Sequence, residues 1–151
     1  MSYTTCVYNY IDEIPDSVWK NINTTDNYYF SKPYLKAFEA HNANKIQFYY
    51  IIILKNKKAV SLATVQVLEF DFVAADFTSN SNKFIQNTSY KLSCFVKRNY
   101  VKILICGSVF LSGEHGIFIK DGEDKKVILE QIIKGVQEII NANKYLSLIH
   151  I

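Results

Sequence analysis

Glycine and proline are scarce in this chain of 151 residues: five of the first and two of the second. That excludes a Pro/Gly-rich low-complexity protein, and no repeat or linker interrupts the sequence. Cysteine is as sparse. Cys6, Cys94 and Cys106 are odd in number and widely spaced, which excludes a disulfide scaffold. His41 and His150 have no metal-ligand partners at a usual spacing, so no metal site is expected. A surplus of one charge is missing too: 17 basic residues face 14 acidic ones, for a net +3. A nucleic-acid domain concentrates Lys and Arg on one face. Here the basic runs, residues 55–58 and Lys97-Arg98, read as a hairpin turn and a helix end, and no nucleic-acid partner is expected. The longest apolar run, residues 48–54, is far shorter than the roughly 20 that span a bilayer, so no membrane partner is expected. The first six residues lack the basic and apolar parts of a secretory signal. With unpaired cysteines, this makes the cytoplasm the expected compartment. A phosphate-binding P-loop and a serine-hydrolase elbow are absent, for want of Gly-Lys-Ser/Thr and Gly-x-Ser-x-Gly.

What remains is an ordinary globular composition, 49% apolar and 21% charged, which excludes intrinsic disorder. Residues 4–10 are β-branched and aromatic and predict a first strand. Asp16 is a candidate cap for a short helix with Val18, Trp19 and Ile22 on one face. Ser31-Lys32-Pro33 opens a second helix, with Tyr34, Leu35 and Phe38 on one face and its end near His41-Asn42. Residues 46–54 predict a strand buried on both faces. Residues 55–58 turn the chain, and residues 59–70 return as a partner strand. In it Val60, Leu62, Thr64 and Gln66 alternate against Ala63, Val65 and Val67. Residues 81–99 carry a helical stripe. Residues 100–106 and 117–119 read as strands on either side of the one glycine-dense segment, residues 107–116. The acidic turn 121–124 precedes a helix over residues 125–143, with Ile128, Leu129, Ile132, Val136, Ile139 and Ile140 on one face. Residues 145–151 predict a last strand. The expected fold is α/β in the broad (α+β) sense: one domain over residues 1–151, a mixed sheet with a central antiparallel hairpin, helices flanking it. Because the pattern stops inside an apolar strand, the chain reads as the N-terminal part of a longer protein, open to pairing with a C-terminal half.

Three segments carry a resemblance: Ile14-Pro15 with Trp19, then Tyr29-Phe30-Ser31 with Tyr34-Leu35 and Phe38-Glu39, then Gly107-Ser108 leading to Gly113-Glu114-His115-Gly116. They resemble the N-terminal half of GNAT-fold acyltransferases related to the FemAB aminoacyltransferases. The resemblance implies a domain that transfers an acetyl, acyl or aminoacyl group to an amine. It implies acetyl-CoA or another acyl donor, and a small amine acceptor as partner. The glycine-rich phosphate loop usual in that superfamily, Arg/Gln-x-x-Gly-x-Gly/Ala, has no counterpart in this sequence. The late tyrosine often used as general acid has none either.

Gly107, Gly113 and Gly116 are the candidate donor-binding positions, because glycine lets backbone approach an anion. Glu114 and His115 are the candidate catalytic pair: a histidine serves as a general base near neutral pH, and an adjacent glutamate binds or tunes an amine. The competing reading is a plain glycine-rich turn with exposed polar residues. Glu69, Asp71 and Asp76 read as carboxylates at a strand end, Cys94 and Cys106 as core fillers, and the runs Tyr28-Tyr29-Phe30 and Phe48-Tyr49-Tyr50 as core packing. Two further functions stay open: a non-catalytic scaffold half of the same fold, and an interaction module that docks a peptide on its hairpin edge.

Overall fold

A computed structural model describes residues 2–22, 28–70, 101–111 and 116–143, with Phe70 and Val101 described by backbone alone. The expected helix over residues 81–99, the last strand, and Asp71, Asp76, Cys94, Gly113, Glu114, His115 and His150 lie outside the described residues.

Strand β1 (Tyr3–Tyr8) is followed by a 3-10 turn (Ile11–Glu13) and a short helix, α1 (Asp16–Asn21). Pro15 holds the cap position there, and Asp16 stands inside the first turn, paired with Lys32 at 2.9 Å. Asp16 is therefore not the cap its residue type suggests. A second 3-10 turn (Tyr28–Phe30) leads into α2 (Lys32–Asn42), where Ser31 Oγ accepts the Tyr34 amide as expected of an N-cap.

Strands β2 (Ile46–Lys55) and β3 (Lys58–Phe70) form the expected hairpin. Asn56 and Lys57 turn it with φ of 50° and 66°, the left-handed pair of a two-residue type I′ turn. One register slip between Ile53 and Leu54 corrects the expected alternation. A bulge at Val60 turns that side chain to the face of Ala63, Val65 and Val67, away from Leu62.

Strands β4 (Val101–Cys106) and β5 (Ile117–Ile119) both run antiparallel to β3, β4 along residues 65–70 and β5 along residues 61–63. They are two lengths of one interrupted edge. The sheet order is β1-β2-β3-β4 with β5 beside β3. Every pairing among the described strands is antiparallel, so over these residues the sheet expected to be mixed is an open antiparallel one.

Helices cover both faces. On one, Ile11, Ile14, Val18, Ile22, Phe30 and Leu35 pack on Phe48, Tyr50, Ile52 and Leu62. On the other, α3 (Lys125–Asn143) sets Ile128, Ile132, Val136 and Ile139 against Ile51, Ile53, Ala63, Val65 and Leu104. Full burial of each such side chain contributes about 1.5–3 kcal/mol. Leu129, expected on that face, is 38% exposed. Gly135 is what lets α3 lie so close: a Cβ there would stand 2.9 Å from Ile51 Cγ2 and 3.1 Å from Thr5 Cγ2. No helix of the described residues is long and apolar enough to cross a membrane.

Candidate functional site

The polar residues of β3 locate the site. Ser61, Thr64 and Gln66 are 0%, 4% and 2% exposed among the apolar residues of the middle of β3. A buried hydroxyl or amide needs a partner. All three find one on the interrupted edge: Ser61 Oγ donates to the Phe118 carbonyl at 2.6 Å, Thr64 Oγ1 to the Gly116 carbonyl at 3.3 Å, and Gln66 Oε1 accepts the Val109 amide at 2.9 Å.

Thr64 also closes the interruption with its backbone. The Gly107 amide donates to the Thr64 carbonyl at 2.8 Å, and the Thr64 amide donates to the Gly116 carbonyl at 3.0 Å. Gly107 and Gly116 are therefore both held to the sheet at a single residue of β3. The neck is too narrow for a side chain. A Cβ on Gly116 would lie 2.5 Å from Gly107 Cα, and Gly107 holds φ at +142°. Of the expected donor-binding glycines, the fold thus brings Gly107 and Gly116 together, and the Gly107 amide is spent on Thr64 rather than free for an anion. Gly113, Glu114 and His115 lie outside the described residues.

Beside the neck, α2 presents aromatic rings. Tyr34 and Phe38 stack at 5.9 Å and 8°. Phe38 meets Phe48 edge-on at 5.6 Å and Phe110, from beyond the neck, at 5.8 Å. Tyr28 and Tyr29 each meet Tyr34 edge-on at 5.3 Å. These spacings fall in the favourable range for aromatic pairs. An open groove of about 430 Å³ follows Tyr34, Ala37, Phe38, His41, Asn42 and Phe110. Tyr34 and Phe38 also border a crevice of about 10 Å³ that reaches Thr64, Gln66 and Ser108. The Ser108 Oγ is buried and has no hydrogen-bond partner among the described residues.

The electrostatics are those of neutral chemistry. Tyr50, on the crevice wall, donates to Glu39 Oε2 at 2.8 Å, and the same oxygen accepts the Ile11 amide at 3.0 Å. Burial, and then Glu39, push the Tyr50 phenol far above its usual pKa, so it stays protonated. Burial, then Tyr29 and Tyr28, raise Tyr34 as well. Burial pushes the Cys106 thiol up to about 11, which makes it a poor nucleophile, in keeping with a core filler. Glu69 pairs with Lys102 at 3.0 Å on the surface, as a strand-end carboxylate should. No group of three metal-ligating side chains occurs among the described residues.

An acyl donor such as acetyl-CoA carries a diphosphate, an anion of the kind a helix N-terminus can hold. The N-terminus of α3 does not fit one. Asp124 Oδ1 already accepts the Lys126 amide at 2.9 Å and the Val127 amide at 3.3 Å. Asp121 and Glu123 precede it in the chain. A diphosphate there would displace the Asp124 carboxylate, while Glu123 is already paired with Lys55 at 2.7 Å.

Residue-type reasoning missed the groove. Its signals were the Tyr34/Phe38 pair one turn apart on α2 and the polar Thr64 and Gln66 inside an apolar strand. No protein-family model, curated protein or solved structure matches this chain.

Proposed function

We propose that this chain is an acyltransferase-type domain of GNAT-like plan whose described residues form the acceptor side of the reaction. The observation that carries the reading is the aromatic groove of α2, one wall of which is Phe110, three residues after Gly107 of the neck. Element order supports it: two helices between β1 and β2 on one face, the hairpin at the centre, one long helix on the other face. An acceptor would lay its apolar body along Tyr34, Phe38 and Phe110 and present its amine toward the neck. Glu114 and His115, which directly precede Gly116 in the chain, would bind or deprotonate that amine. No donor contact is assigned, because the α3 N-terminus does not fit a diphosphate.

That misfit favours a second reading, a binding module of the same plan without transfer chemistry. Acyl transfer to benzylamine, followed by mass spectrometry with acetyl-CoA as donor, separates the two. The first reading expects acetylated amine, and a loss of about 10²–10⁴-fold in His115→Ala or Glu114→Ala. No product, together with an unshifted melting temperature at saturating acetyl-CoA, would refute the first, and saturable benzylamine binding by the same chain would support the second.

A further inference from the structure

The crevice under the aromatic groove has three properties that together define a ligand. Its volume of about 10 Å³ is close to a single water-sized probe, so it admits a hydroxyl-sized group and nothing bulkier. Its walls include Tyr34, Phe38 and Phe48, which present rings to whatever enters. Among the described residues no charged side chain lines it. A carboxylate or an ammonium placed there would lose its hydration with no counter-charge in return.

The fourth property is the unpaired hydroxyl. Thr64 Oγ1 gives its proton to the Gly116 carbonyl, and Gln66 Oε1 accepts the Val109 amide. Ser108, one of the lining residues, has an Oγ that is buried and pairs with nothing among the described residues. A buried polar atom left unpaired in this way calls for an explanation. An incoming hydroxyl supplies one, because it can both donate to and accept from Ser108.

We infer that the groove takes a flat aromatic ring bearing one uncharged hydroxyl, a phenol-type group, with the ring in the open groove against Tyr34 and Phe38 and only the hydroxyl entering the crevice toward Ser108. The inference rests on reading the groove as a ligand-binding face, and it is independent of acyl transfer.

The test compares three probes on the full chain by amide chemical-shift titration: 4-methylphenol, toluene and 4-methylbenzoate. A site built to pair a hydroxyl discriminates against an analogue that lacks it. The expected result is saturable binding of 4-methylphenol, at least tenfold tighter than toluene, with 4-methylbenzoate weaker than both. Ser108→Ala should bring 4-methylphenol to within about twofold of toluene while leaving toluene unchanged. The comparison on the unaltered chain decides the matter even if that variant folds poorly. Equal binding of 4-methylphenol and toluene overturns the hydroxyl assignment and leaves the groove as an aromatic site. No saturable binding by any probe overturns the groove as well. Tight 4-methylphenol binding in a chain that acetylates no amine leaves this inference standing and removes the proposed transfer function.

Discussion

The neck makes a sharp demand on Gly116. An alanine there would put its Cβ 2.5 Å from Gly107 Cα, 3.3 Å from Gly107 N and 3.5 Å from the Cys106 carbonyl oxygen. Two carbons prefer about 3.5–4.0 Å. The neighbour is backbone, so no rotamer change relieves the overlap, and the neck must part by about an ångström. Parting it strains or breaks the two Thr64 backbone hydrogen bonds, at 2.8 and 3.0 Å. Each contributes about 0.5–1.5 kcal/mol net, and leaving a group of the buried Thr64 unpaired costs about 1–3 kcal/mol more. Gly116→Ala should therefore destabilise by about 2–4 kcal/mol. Gly122→Ala is the control: φ is +82°, but nothing lies within 4 Å, so only the left-handed strain of about 1 kcal/mol applies. Urea denaturation of both variants measures the difference, read as a shift in midpoint at unchanged slope. A Gly116→Ala cost below that of Gly122→Ala would refute the pinched neck.

Other substitutions probe the frame around it. Gly135→Ala should gain about 1 kcal/mol of helix propensity and lose about 1–3 kcal/mol to overpacking on Ile51 and Thr5, a net destabilisation that urea melts will show. Lys57→Gly should stabilise by about 0.5–1 kcal/mol, because residue 57 sits at φ 66° in the hairpin turn, where glycine carries no steric penalty. For Cys106 the folded pKa, about 11, lies above the unfolded value. Between the two the unfolded chain has lost the thiol proton and the folded chain has kept it. The Cys106 contribution is thus fully present below about pH 8.5 and lost as pH rises toward 11, at up to about 1.4 kcal/mol per pH unit. Cys106→Ala should flatten that part of a stability–pH profile, and an unchanged slope would contradict the assignment.

Much of the frame is legible in the chain because its signals are local. The β-branched run of β2 and the turn at Asn56-Lys57 announce the hairpin. Ser31 and Pro33 announce α2. The spacing of Ile128, Ile132, Val136 and Ile139 delivers α3 with both ends at the expected residues. What was not legible depends on distant partners. Val60 changes face because of a bulge that only its pairing with β2 reveals. Gly107 and Gly116 look like a loose glycine-rich turn until Thr64 is seen to clamp both. Phe48 lies in the core as read, while Tyr34 and Phe38, read only as one face of α2, pack against that core and with Phe110 from the other side of the neck line the groove. The groove is a product of tertiary contact between α2, β2 and the edge, and no single segment encodes it.

The central claim is that aromatic ligands bind at this groove and not elsewhere on the surface. The most direct measurement maps the amide chemical-shift changes that benzylamine induces in the full chain. The account predicts saturable changes clustered at Tyr34, Phe38, His41, Asn42 and Phe110. Changes scattered over exposed apolar residues away from the groove, such as Tyr10, Leu129 and Ile133, or no saturable change at all, would contradict it.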